Sequence, residues 1–292
     1  MVASRITKIG DREFKWGERT YIMGIVNLSP DSFSGDGLSN IDEAVKQAKR
    51  FVSEGADILD VGGESTRPGA QAIGIDEEIR RVVPVIARLA REVSVPVSVD
   101  SYKYEVAAAA VEAGAEIIND QWGLRFDARM AELVAAKHIP VILMSNQRTA
   151  NTGFDAKARA DMATGQDVMA HVLSFLKESL EIAKQAGIPG ENTIIDPGIG
   201  FGKDWKQNLE VLRRLSELKS LGRPILIGTS RKSFIGRILG DPPESRLEGT
   251  AATVALSIAN GADIVRVHDV LPMVKVCRMC DAIVRDYHPG VE

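Results

Sequence analysis

Eight short apolar runs rich in β-branched residues each end in groups able to hydrogen-bond, ionise or bind an anion, and this repeat constrains the fold most strongly. The fullest case is Thr193-Ile194-Ile195-Asp196-Pro197-Gly198-Ile199-Gly200-Phe201-Gly202-Lys203, where a strand delivers Asp196 to a rim and alternating glycines demand a loop. Taken alone, Asp-Pro-Gly reads as well as a turn whose Asp caps backbone amides. The same arrangement recurs, however. Met23 to Val26 ends in Asn27, Ile58-Leu59 in Asp60 with Glu64 close behind, and Pro96 to Val99 in Asp100. Further on, Glu116 to Ile118 ends in Asn119-Asp120, and Val141 to Met144 in Ser145-Asn146. Ile225 to Gly228 ends in Thr229-Ser230-Arg231-Lys232, and Asp263 to Val265 in Arg266-Val267-His268.

The connections between these runs set the topology. Gly55-Ala56-Asp57, Gly114-Ala115-Glu116 and Gly261-Ala262-Asp263 each place a glycine where a helix stops and an apolar strand begins. Helical spacing follows the strands at about Ile41 to Ser53, Asp76 to Val93, Lys103 to Glu112, Ala128 to Ala136 and Asp167 to Ala186. It returns at Lys206 to Leu221, Glu248 to Ala259 and Leu271 to Tyr287. Alternating strands and helices imply parallel pairing, and the pattern predicts a single α/β domain over residues 1–292, a (β/α)8 TIM barrel. Residues 4–18 alternate apolar and polar about Gly10-Asp11, which predicts that segment 1–18 forms a hairpin closing the N-terminal mouth. The first two βα loops and Thr149 to Gln166 are longer than packing needs and become candidate binding loops. A length of 292 residues suits one such barrel, and 45% hydrophobic content supplies its core.

In that fold the strand ends converge on one mouth. Asp60, Asp100, Asn119, Asp196 and Lys232 would ring it, a set suited to a polar heterocycle, since a carboxylate accepts two parallel N–H bonds and an amide offers donor and acceptor. Asp60 and Asp120 read equally as loop anchors. Asn27, Arg266 and His268 meet where the first and last strands adjoin and suggest an anion site; a lone histidine would more often be a core or surface residue, but Arg266 shares its strand face. Ser65-Thr66-Arg67-Pro68-Gly69, Phe33, Phe201 and Ser230-Arg231-Lys232-Ser233 could hold a flat aromatic acid. The Gly198-x-Gly200-x-Gly202-Lys203 spacing fits neither a Walker loop nor a dinucleotide fingerprint. Net charge of −4 argues against a general nucleic-acid binder. With no long apolar run and no leader pattern, a cytoplasmic protein without membrane contact is expected. Cys277 and Cys280 lack a second pair and sit in a helical pattern, so they read as inert helix residues.

At these residues the sequence resembles the dihydropteroate synthases, a family of pterin-binding barrels, from about Gly24 to Asp269. The likeness is carried by Asn27-Leu28-Ser29-Pro30-Asp31-Ser32-Phe33, Gly63-Glu64-Ser65-Thr66-Arg67-Pro68-Gly69, Asp196-Pro197-Gly198-Ile199-Gly200-Phe201, Thr229-Ser230-Arg231-Lys232-Ser233 and Arg266-Val267-His268, in family order. The resemblance implies a transferase of folate biosynthesis that joins 6-hydroxymethyl-7,8-dihydropterin pyrophosphate to p-aminobenzoate. By it, Asp100, Asn119, Asp196 and Lys232 would bind the pterin, and Asn27, Arg266 and His268 the pyrophosphate, with Asn27 reaching Mg2+. Phe33, Thr66, Arg67, Pro68, Phe201 and Ser233 would shape the p-aminobenzoate pocket, and Asp36 would act near the cation with Asp100, Asp196 and Lys232 as the catalytic set. A homodimer and sulfonamide sensitivity are implied as well.

Two departures from the family pattern stand out. Ser34-Gly35-Asp36-Gly37 replaces the common Ser-Asp-Gly-Gly, displacing Asp36 by one position, and Met144 is followed by Ser145 where many members carry His. Three other readings compete. A pterin-dependent methyltransferase would not need the arylamine cluster, an inactive pterin-binding protein would not need Asn27, Lys232, Arg266 and His268 together, and a lysine aldolase would want Lys232 in an apolar setting.

Overall fold

The computed structural model describes residues 6–28, 37–64, 72–147 and 167–290, with residues 37–40 described by their backbone alone. β1 (Ile6–Ile9) and β2 (Arg12–Lys15) form the expected antiparallel hairpin. The chain then alternates β3 (Tyr21–Asn27), α1 (Gly37–Glu54), β4 (Ile58–Gly62), α2 (Ile75–Glu92), β5 (Val97–Asp100) and α3 (Tyr104–Glu112). It continues through β6 (Ile117–Asp120), α4 (Ala128–Lys137), β7 (Val141–Met144), α5 (Val168–Gln185), β8 (Thr193–Asp196) and α6 (Trp205–Arg213). The last part is β9 (Leu226–Ile227), α7 (Ser233–Leu239), α8 (Leu247–Ala259), β10 (Ile264–Val267) and α9 (Val270–Arg285).

Strands β3 to β10 make one eight-stranded parallel sheet in the order β8-β7-β6-β5-β4-β3-β10-β9. A bridge between Ile195 and Ile225 closes it, and the Ile195 amide donates to the Pro224 carbonyl at 2.9 Å. The expected (β/α)8 barrel is therefore the observed one. Gly55, Gly114 and Gly261 take φ of 105°, 110° and 99° at the three helix-to-strand junctions, a region that side chains with a Cβ avoid. Two details differ from the spacing argument. The helix expected over Lys206 to Leu221 breaks after Arg213 into a 3₁₀ segment, Leu215–Leu221, and a short α7 forms that had no helical period long enough to read.

Period-2 alternation sorts the strand residues into two cores. Leu59, Val61, Val97, Val99, Ile118, Leu143, Ile195 and Val265 face the helices in the outer core. Met23, Ile58, Ile117, Ile142, Ile194, Leu226 and Ile264 fill the barrel interior, together with Ile9, Phe14 and Trp16 of the hairpin segment. Phe14, Trp16 and Tyr21 pack with ring centroids 4.8 to 5.7 Å apart, and Trp16 Nε1 donates to Thr7 Oγ1 at 2.8 Å. The hairpin thus plugs the N-terminal mouth. Phe14→Ala is expected to cost about 3–5 kcal/mol of stability, read as a lower unfolding midpoint, while the polar mouth is left intact because it lies at the opposite end, at the strand C-termini.

Candidate active site

Two residues beyond the apolar layer, the same inward face turns polar. Ile58, Ile117, Ile194 and Ile264 are followed by Asp60, Asn119, Asp196 and Arg266. Register sets these side by side, with Asp60 opposite Ser98 and Asp100 opposite Asn119. Arg266 forks across the barrel: Nε donates to Asp60 Oδ2 and Nη2 to Asp100 Oδ2, both at 2.6 Å. Asn119 Nδ2 donates to Asp60 Oδ2 at 3.0 Å, and Gln121 Nε2 to Asp100 Oδ1 at 2.6 Å. Asp60 is 0% exposed, so its charge depends on these partners.

Electrostatics follow from burial. Burial opposes the Arg266 cation, but Asp60 and Asp100 outweigh it and hold the guanidinium pKa above its ordinary value. Burial pushes the Asp100 carboxyl up to about 6; Arg266 opposes the rise and the Asp60 charge adds to it. Burial also raises Asp196, whose Oδ1 accepts from the Gly198 amide at 2.7 Å, against the pull of Lys232, Lys203 and Arg266. Burial first, and the Arg266 charge second, push His268 down to about 3. Both causes favour the neutral ring, so within the anion site Arg266 carries the charge and His268 contributes as a hydrogen-bonding ring. Ser230 Oγ accepts from the His268 amide at 3.2 Å and lies 3.0 Å from Nδ1. Ser230 thus fixes the orientation of the ring through Nδ1 and leaves Nε2 for the cavity.

A cavity of about 400 Å³ opens at this mouth, lined among others by Asn27, Asp100, Lys232, Ser233, Arg266 and His268. Lys232 stands 4.5 Å above the Phe201 ring. The glycine loop makes room for it. Gly200 takes φ of 82°, and a Cβ there would lie 3.1 Å from Lys232 Cδ; on Gly198, φ 68°, a Cβ would collide with the Ser145 carbonyl.

The family described as pterin binding enzyme matches residues 23–268. The chain belongs to the pterin-binding enzymes. It is 50% identical to the dihydropteroate synthase of Clostridium beijerinckii over 280 residues, covering 95% of this chain and 99% of that one. Among solved structures, the dihydropteroate synthase of Clostridium difficile in the presence of pteroic acid superposes with a TM-score of 0.86 at 50% identity, over 93% of this chain and 99% of that chain. The Xanthomonas albilineans dihydropteroate synthase with 4-aminobenzoic acid gives a TM-score of 0.86 at 41% identity, over 96% and 98% of the two chains.

In this pterin-binding enzyme the expected residues fall into three groups. Asn27, Asp100, Lys232, Ser233, Arg266 and His268 share the cavity wall. Asn119 joins them through Asp60, which Arg266 also binds, while Phe201 packs under Lys232 and Asp196 sits at its own strand end. Phe33, Asp36, Thr66, Arg67 and Pro68 lie outside the described residues. Asp120 points the other way, since its carboxylate accepts from the Trp122 and Leu124 amides at 2.8 and 2.6 Å and anchors that loop. Cys277 is a buried free thiol on α9, raised by burial, and takes no part in the mouth.

Two supporting residues, Gln121 and Arg246, escaped sequence reading, and a third, Ser230, gains a partner in the fold. Gln121 orients Asp100 from the turn that follows β6, a position no strand period reaches. Ser230, which the sequence places in the cluster that could hold a flat aromatic acid, lines the cavity and bonds His268 as well. Arg246 donates to the Arg231 carbonyl at 3.0 Å and the Lys232 carbonyl at 3.5 Å, bracing the turn that carries Lys232; nothing in its local sequence signals this.

Proposed function

We propose that this enzyme is a dihydropteroate synthase, condensing 6-hydroxymethyl-7,8-dihydropterin pyrophosphate with p-aminobenzoate to give 7,8-dihydropteroate and pyrophosphate. The observation that carries the reading is the single cavity in which the Arg266-linked Asp60–Asp100 pair stands beside Lys232, His268 and Asn27. The 50% identity to a dihydropteroate synthase with pteroic acid supports it.

In this reading Asp100, Asn119, Asp196 and Lys232 hold the pterin ring by its hydrogen-bonding edge. Arg266, Asn27 and Nε2 of His268 face the departing pyrophosphate. The bond from the pterin methylene carbon to the pyrophosphate oxygen breaks with its electron pair going to pyrophosphate, and the ring delocalises the resulting cation. The arylamine nitrogen then forms the new C–N bond and loses a proton. No nucleophilic side chain is needed, so positioning and preorganised charge supply the rate. Thr66, Arg67, Pro68, Phe33, Phe201 and Ser233 would hold the arylamine, as the resemblance implies.

Asn27 suits Mg2+. It ends β3 on the cavity wall beside Arg266 and His268, and its amide oxygen is a hard donor for an ion that takes its remaining ligands from phosphate and water. Asp36 would join it. When bound, the ion would neutralise charge on the pyrophosphate leaving group. A homodimer fits the exposure of Leu256 (64%), Met279 (62%) and Ile283 (72%) on α8 and α9. Cytoplasmic placement fits a chain in which no helix among the described residues is long and apolar enough to cross a membrane. Sulfonamides, which resemble p-aminobenzoate, would compete for its pocket.

The test is pyrophosphate release from the dihydropterin pyrophosphate with Mg2+, with and without p-aminobenzoate, alongside detection of dihydropteroate. Release coupled to product supports the reading, and pterin binding without product ends it. A pH series adds a second check. Asp100 must be ionised to accept two N–H bonds and its carboxyl is raised to about 6, so pterin affinity is expected to fall as pH drops from 8 through 6. A flat titration would take Asp100 out of ring recognition.

A further inference from the structure

Lys103 is the N-cap residue of α3 and lies outside the wall of the cavity, yet its ammonium is fully engaged. Its side chain is 10% exposed. Nζ donates to Glu64 Oε2 at 2.7 Å, to the Ile73 carbonyl at 2.7 Å and to Glu78 Oε2 at 2.6 Å. An ammonium has three protons, and these acceptors take all of them. Glu64 follows β4 and lines the cavity, Ile73 precedes α2, and Glu78 is a 1%-exposed residue of α2. Glu64 Oε2 also accepts from the Ile73 amide at 3.1 Å, and Tyr102 donates to Glu64 Oε1 at 3.3 Å.

Both ends of the β4–α2 connection are therefore tied to one buried cation, which Glu78 ties in turn to a helix. Gathering two carboxylates and an ammonium away from water is costly, and an apolar trio would pack as well. Such a cluster does what an apolar one does not: it fixes the separation and direction of two chain ends through hydrogen bonds of defined geometry. One of those ends, Glu64, is itself part of the cavity wall beside Asn27 and Asp100. In sequence, Thr66, Arg67 and Pro68 lie between the two ends.

We infer that Lys103 is a positioning residue that holds the two ends of the β4–α2 connection at the cavity and so sets how tightly the arylamine is bound. The inference rests on the synthase reading for its choice of substrate. Its test uses a double variant, Lys103→Met with Glu78→Gln, which removes one charge of each sign and so avoids stranding Glu78 as a buried ion. Glu78→Gln alone is the control, because it leaves Lys103 on Glu64 and Ile73.

The double variant is expected to raise KM for p-aminobenzoate about tenfold or more and to leave KM for the pterin pyrophosphate within about twofold. The control is expected to move neither. A role in folding alone would not split the two substrates, so equal shifts, or an unchanged arylamine KM in a folded double variant, would overturn the inference. Hydrogen exchange gives a readout that needs no activity: the Ile73 amide is expected to exchange about tenfold faster in the double variant. If the wild-type protein makes no dihydropteroate, the synthase reading fails by itself. Ile73 exchange then still decides whether Lys103 ties the connection, with unchanged exchange counting against it.

Discussion

Arg266→Ala is expected to lower stability by about 3–5 kcal/mol, the size seen when one partner of a buried ion pair is removed. Asp60 would keep only the Asn119 amide while remaining 0% exposed, and Asp100 would keep Gln121. For a chain of this size the unfolding midpoint should drop by on the order of 10 °C. The kinetic effect has a direction as well. The Asp100 carboxyl already sits at about 6 with Arg266 beside it, and losing that cation raises it further, so the ring-binding face is protonated at neutral pH. Losing one or two charge-assisted bonds predicts a fall of about 100-fold in kcat/KM for the pterin pyrophosphate, with a much smaller change in KM for p-aminobenzoate. Arg266→Lys should recover part of the stability but not the fork to both carboxylates. Melting curves and two-substrate kinetics check this together. Wild-type stability, or equal losses for both substrates, would show that Arg266 does not organise the pair.

That expectation differs from a plain anion site, and the difference shows what a sequence holds and what it withholds. Strands that end in polar groups, glycines at helix stops and an alternating hairpin are local patterns, and each was legible because it follows from period, cap chemistry and turn chemistry. The inward set Asp60, Asp100, Asn119, Asp196 and Arg266 was legible for the same reason. Asp120 illustrates the limit. It adjoins Asn119 on the same strand, and one step along β6 turns it away from the mouth to hold the Trp122 and Leu124 amides. Arg266 bonds Asp60 across 206 positions of sequence, which no spacing reveals. The neutrality of His268 depends on burial and on its distance from Arg266, and neither is written in Arg266-Val267-His268. Lys103 looked like the first residue of a helix, and only the folded chain brings Glu64, Ile73 and Glu78 around it.

Lys232→Ala is expected to have the opposite profile, a large loss of turnover with little loss of stability. Lys232 is half-buried and sits over the Phe201 ring, a contact worth about 0.5–2 kcal/mol, so the fold should tolerate its removal. Its turn is held by other groups. Arg231 takes φ of 57° and pairs with Asp269 at 2.5 Å, and Arg246 bonds the carbonyls of Arg231 and Lys232. What alanine would remove is a preorganised N–H donor that holds the ring by its hydrogen-bonding edge and, on the same cavity wall as Arg266 and His268, a positive charge that favours the negative charge developing on pyrophosphate. Removing one such donor from a low-dielectric site typically costs on the order of 10³-fold in kcat. Lys232→Arg should not rescue turnover, because the longer planar head would press against Gly200, where even a Cβ would come within 3.1 Å of the lysine chain. The paired readout is therefore diagnostic: turnover falls while the unfolding midpoint holds. Wild-type kinetics in Lys232→Ala would remove the lysine from the site, and a collapse of stability would reassign it to the framework that Arg246 and Asp269 brace.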